Sequence, residues 1–153
     1  MPYTIFLSAH SYLRWIVLIL ALVAVFKALS GWLGNRRWEA SDQKIGGFFV
    51  GALDLQFLVG IILFAFLSPI TEAAFQDFGA AMANKVTRFF VTEHTLLMLV
   101  SVAMAHVGRS RSRRIEDPVK RHKTVAIFFG LSLILMLAGI PWSFLSYGRP
   151  LFR

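Results

Sequence analysis

The sequence predicts an all-α membrane protein, an antiparallel up-down bundle of four transmembrane helices, and three observations carry that reading. The 153 residues are 57% hydrophobic, with a mean hydropathy of +0.65, a composition of the membrane class. The apolar residues gather into four segments, roughly 4–33, 46–68, 88–107 and 124–146, each reaching the ~20 residues that cross a hydrocarbon core of ~30 Å. The basic residues concentrate in alternate connections between those segments.

The first segment carries no Lys or Arg between Pro2 and Leu13, so it reads as a retained span and not as a cleaved signal peptide. The polar stretch Gly34 to Lys44 makes helices 1 and 2 antiparallel neighbours, and Ser110 to Lys123 does the same for helices 3 and 4. Pro69 stops helix 2, Pro118 breaks the basic connection, and Pro141 ends or kinks helix 4. Between helices 2 and 3, Thr71 to Ala83 sets Ala73, Ala74, Phe75, Phe78 and Met82 among Glu72, Gln76 and Asp77. That pattern predicts a short amphipathic helix on the outer interface, covering the bundle. Gly47 with Gly51, and Ser101 with Ala105, are small-residue steps that let helices approach; packing explains them. Trp15, Trp32 and Trp142 stand where interfacial anchors are expected, and Trp38 lies in the first connection. The chain reads as one domain.

Arg36, Arg37 and Lys44, together with Arg109, Arg111, Arg113, Arg114, Lys120, Arg121 and Lys123, outweigh Lys85, Arg88, Arg149 and Arg153 on the other side. The positive-inside bias therefore puts both termini in the periplasm. The net charge of +8 is then topogenic and no sign of nucleic-acid binding, although the Arg109–Arg114 run suits anionic headgroups. With no cysteine there is no disulfide, no thiolate ligand and no covalent haem attachment, so any haem is non-covalent, of b type. No hydrolase, kinase or dehydrogenase motif, phosphate-cradling loop or zinc signature occurs, and no catalytic residue is assigned.

The intramembrane polar residues are the functional candidates. His10 and His94 each lie about two turns from the start of helices 1 and 3, so at ~1.5 Å per residue they reach similar depth. An imidazole in a bilayer needs a partner, and two at matched depth on diagonal helices are the arrangement for axial ligands to one haem iron. The alternative for each is an interfacial or hydrogen-bonded histidine. Arg14, one turn below His10, either pairs with Glu93, contacts a haem propionate or a headgroup, or snorkels outward. Glu93 is otherwise a carboxylate partner to an imidazole, and Ser8, Ser11, Thr92 and Thr95 are candidate partners for the free ring nitrogens. Asp54 and Gln56 on helix 2 either relay protons or touch a quinone headgroup, or Asp54 pairs with Lys27, the reading preferred. His106, ~18 Å below His94, is out of reach of the same haem and is expected beside Arg109 or as half of a second site. His122 is placed in the basic connection. Met98, Met104 and Met136 read as packing.

The stretches His10-Ser-Tyr-Leu-Arg14-Trp15, Arg88-Phe-Phe-Val-Thr-Glu93-His94, His106-Val-Gly-Arg-Ser-Arg and Ile140-Pro141-Trp142 together carry a resemblance. The chain resembles small four-helix bacterial membrane proteins, common in Bacteroidetes-like genomes, that are often labelled cytochrome b-like. More distantly it is similar to one half of the haem A synthase fold. The resemblance implies the bacterial inner membrane; such relatives often carry a histidine on helix 2 near where this chain has Asp54, and that departure puts a second haem or metal site in doubt here. The leading expectation is a b-type haem protein or subunit for electron transfer, exchanging with quinone, with His10 and His94 as ligands and Arg14 at a propionate. The alternative is a haem-free accessory subunit of a larger respiratory or photosynthetic complex. A small transporter or metal-handling protein using His10, His94 and Asp54 ranks last.

Overall fold

The computed structural model describes residues 2–150 and 152. Among the described residues seven helices follow in chain order: α1 (Pro2–Leu33), α2 (Ala40–Ile62), α3 (Pro69–Gln76), α4 (Phe78–Ala83), α5 (Lys85–Arg88), α6 (His94–Ser112) and α7 (Pro118–Gly139). Wide π turns prolong α2 through Leu63–Leu67 and join α5 to α6 through Phe89–Glu93. No strand occurs among the described residues. Four stretches are long and apolar enough to cross a membrane: Pro2–Leu33, Ala40–Leu67, Lys85–Ser112 and Pro118–Gly139. Arg153, counted above among the outer charges, lies outside the described residues.

The helices run past the apolar segments at most ends, and local chemistry sets each boundary. Asp42 accepts a hydrogen bond from the Glu39 amide at 2.9 Å, so α2 starts six residues before the expected 46. Asp117 caps the Lys120 amide at 2.7 Å with Pro118 in the first helical position, an arrangement that starts a helix. Pro118 thus opens α7 instead of breaking a loop. At the other end α7 stops at Gly139, just before Pro141, and not near 146. Pro69 likewise ends the second span, with Ser68 extended. The expected single helix over 71–83 is two short ones, broken at Asp77, whose side chain caps Ala80 at 2.9 Å.

Each long helix packs on two neighbours: α1 on α2 and α7, and α6 on α7 and α2. This closed ring leaves α1 and α6 facing each other across the bundle. The buried stripe of α1 is Val17, Ala21, Ala24, Ala28 and Gly31, while Ile16, Ile19, Leu22 and Phe26 point outward. Small residues inside and large apolar ones outside suit lipid, where close backbone approach supplies the attraction. Phe49 and Phe129, fully buried, meet at 5.0 Å in the centre. The Ser101–Ala105 step lies in the α6–α7 contact, as its spacing implied. There the Ser101 hydroxyl lies 3.0 Å from the Ser132 carbonyl and 2.9 Å from its hydroxyl, with both residues wholly buried. Ser101→Ala is expected to cost about 1–2 kcal/mol in a detergent unfolding measurement. The double change with Ser132→Ala should cost less than the sum of the singles.

At the end that carries the 34–39 and 113–117 connections, His122 is not in a loop but is 0% exposed inside the bundle. Its Nε2 lies 3.3 Å from the Arg37 carbonyl, and the Trp38 ring rests on it with centroids 4.8 Å apart. Gly31 supplies the space, since a Cβ there would collide with the imidazole. Lys27 pairs with Asp42 at 3.3 Å, correcting the expected pair with Asp54: Asp42 is about three helical turns nearer the connection, level with the last turns of α1.

Candidate functional site

His10 enters the bundle from α1. A Cβ on Gly60 of α2 would stand 3.3 Å from His10 Cε1, so glycine at 60 leaves the ring its room. Gln56, one turn earlier on α2 and buried, donates from Nε2 to the His10 carbonyl at 3.0 Å. The His10 Nδ1 is buried with no hydrogen-bond partner, a costly state for a polar atom in a low-dielectric interior.

His94 is placed by the π turn before it. Its amide bonds five residues back to the Phe89 carbonyl, and that widened turn resets the helical phase at the point where α6 begins. Its ring Nδ1 lies 2.7 Å from the Gly139 carbonyl. That carbonyl is in the last turn of α7, where termination removes the intrahelical donor. A carbonyl only accepts, so Nδ1–H donates and Nε2 is left with its lone pair. Gly139 also permits this close approach, because a Cβ there would run into Met98. Thr92 and Thr95 do not reach either ring: their hydroxyls donate to the Arg88 and Phe90 carbonyls of their own helix.

The two ring centroids stand 6.3 Å apart with planes at 69°. Both rings line a cavity of about 230 Å³ that all four spans enclose, together with Arg14, Gln56, Tyr3 and Arg149. Arg149 comes from the segment after Pro141, which turns back on itself through an amide–carbonyl bond from Arg149 to Pro141 at 3.1 Å. Tyr147 stacks on Phe89 at 3.9 Å and Phe152 on Trp15 at 5.4 Å, pinning that segment across the ends of α1 and α6.

The other candidates divide. Gln56 joins the histidines, but Asp54, two residues away and on another face, does not line the cavity. Its Oδ1 instead lies 2.7 Å from His106 Nε2, so His106 is paired across α2 and α6 rather than standing by Arg109. Glu93 is held by Arg88 at 2.9 Å and Thr92 at 2.7 Å, which corrects the expected pair with Arg14; that contact is local, within a turn and a half, and needs no interhelical reach. Gly60, the Gly139 carbonyl and Arg149 were not identified as site groups from sequence. Gly-Ile-Pro at 139–141 was the available signal, because a helix stop leaves a carbonyl without its donor.

Among the described residues no three His, Cys, Asp or Glu side chains converge, so a site built from His10, His94 and Asp54 together is not formed. Two protein nitrogens are too few to hold a bare ion, which takes three or four ligands, but they suit an iron whose macrocycle fills the remaining positions. A metal–imidazole bond of about 2.0–2.1 Å puts the centroids of two rings sharing one iron a little over 6 Å apart. The observed spacing has that value. If a haem were bound here, the lone-pair Nε2 of His94 and the unpartnered Nδ1 of His10 would be the nitrogens to hold it, with Arg14 and Arg149 near its carboxylates. The cavity, at about 230 Å³, is somewhat smaller than the ~300–1,000 Å³ of cofactor sites.

Comparison with protein-family models, curated proteins and solved structures finds no match for this chain. Fold and composition define the class: a multi-pass helical membrane protein with four spans.

Proposed function

We propose that this chain is a bacterial inner-membrane electron carrier that holds one b-type haem between His10 and His94, with Arg14 and Arg149 at its carboxylates. The observation that carries the reading is the 6.3 Å separation of two imidazoles on facing helices, one of them fixed in its tautomer by the Gly139 carbonyl. Haem, when bound, supplies reversible one-electron chemistry. The protein's part is to aim two nitrogens, to keep the site apolar and to neutralise the carboxylates. Purified in mild detergent, the protein is expected to show a Soret band that sharpens, with α and β bands, on dithionite reduction. A colourless preparation from haem-replete cells overturns the reading and favours the haem-free accessory subunit.

The chain is oriented as an up-down bundle with both termini and the 68–84 segment periplasmic, on the strength of the basic residues in the other two connections. Helices α3 and α4 then lie near the outer interface. The absence of cysteine makes the test clean. In intact spheroplasts, Ser143→Cys should react with a membrane-impermeant maleimide and Ser110→Cys should not. The opposite labelling would invert the topology.

A further inference from the structure

The Asp54–His106 pair stands apart from the cavity and faces outward. Both side chains are about half exposed, at 47% and 51%, between exposed Leu55, Leu58 and Leu99. Asp54 lies ten residues beyond Lys44, about 15 Å along the helix and well inside the span. An ionisable pair open to hydrocarbon at that depth is costly unless something polar covers it. Gly51, one turn before Asp54 on the same face, is exposed and would have nothing within 4 Å of a Cβ. Open space therefore adjoins the pair, and bundle packing does not account for this glycine as it does for Gly47, over which the Arg109 guanidinium lies.

The hydrogen-bond inventory specifies what fits. Asp54 Oδ1 accepts from His106 Nε2. Among the described residues Asp54 Oδ2 and His106 Nδ1 have no other partner. Where the imidazole carries a single proton, the Nε2 bond to the carboxylate takes it, and both remaining atoms are then acceptors. The group that completes them is a donor, and it reaches this depth only on a body soluble in hydrocarbon. An anionic lipid headgroup is repelled by the carboxylate.

We infer that Asp54 and His106 form a lipid-facing site for the hydroxyl of a membrane-soluble quinol, and that the site discriminates against the oxidised quinone. The acidic hydroxyl donates to the carboxylate oxygen, a charge-assisted bond; a quinone offers only carbonyl oxygens to a face that already has nothing but acceptors. Gly51 gives the flat head its space. No electron moves in this step, and the site is independent of haem.

The test is binding to the full chain in nanodiscs with a short-chain naphthoquinol under argon, its quinone and its dimethyl ether. Wild type should bind the quinol at least tenfold more tightly than either of the others. Asp54→Leu and His106→Leu should erase that preference, and Asp54→Asn, which keeps shape and one acceptor, should lower it severalfold while retaining native helicity. Equal affinity for the three ligands, or unchanged preference in all variants, overturns the proposal and leaves the pair as an interhelical tie. Efficient self-crosslinking of Gly51→Cys in membranes also overturns it, by showing that a second copy covers this face.

Discussion

Replacing His94 by alanine is expected to remove the Soret band and both reduced visible bands from the purified protein. Its ring is the better defined of the two proposed ligands, because the π turn over Phe89–Glu93 sets its direction and the Gly139 carbonyl holds Nδ1. Removing the ring would take away one of the two nitrogens proposed to hold the haem, and it strands a buried acceptor, at a cost of about 1–3 kcal/mol. His10→Ala should have the same spectral result, whereas His106→Ala should leave the spectrum intact, since His106 is engaged with Asp54 elsewhere. Loss of stability alone would mimic loss of a ligand, so a rescue experiment separates them. His94→Gly leaves a hole of imidazole size, and free imidazole added during haem loading should restore the bands. Retention of a wild-type spectrum in His94→Ala, or its loss in His106→Ala, would move the haem away from the cavity.

The second large effect concerns folding at the opposite end of the bundle. Gly31→Ala places a methyl group against the His122 imidazole. That ring cannot yield: it is wholly buried, bounded on another side by Trp38 and tied to the Arg37 carbonyl. Overpacking of this kind costs about 1–3 kcal/mol, which for a chain of this size lowers Tm by roughly 3–10 °C. Gly51→Ala is the matched control on a helix face with no neighbour within 4 Å. It should gain about 0.5–1 kcal/mol from helix propensity. Thermal unfolding of the two variants in one detergent gives the comparison directly; equal Tm values would mean that α1 and α7 do not meet through Gly31.

That His10 and His94 reach the same level was legible, because level depends on only two coarse properties, helix order and distance from a helix end; the direction of the His94 ring was not, because the π turn sets it. The partners of the charged side chains were not. Lys27 with Asp42, Arg88 with Glu93 and Asp54 with His106 each depend on helical phase. A π turn changes that phase by about the 100° that separates adjacent residues on a helix. Nothing in Phe89–Glu93 marks such a turn. His122 was misplaced for a related reason: its neighbours Lys120, Arg121 and Lys123 read as a loop, but Asp117 and Pro118 start the helix ahead of them.

The sequence by itself determined four membrane-length helices, their connections and the location of the polar residues along each. Hydropathy and charge bias are sums over a segment, so they survive ignorance of how a helix is rotated. Only the tertiary structure decided which polar atoms meet, because rotation and separation are set where small residues such as Ala21, Ala28, Gly60 and Gly139 let one backbone approach another's side chains. Contacts of 2.7–3.3 Å depend on that fit, and no count along a single helix contains it.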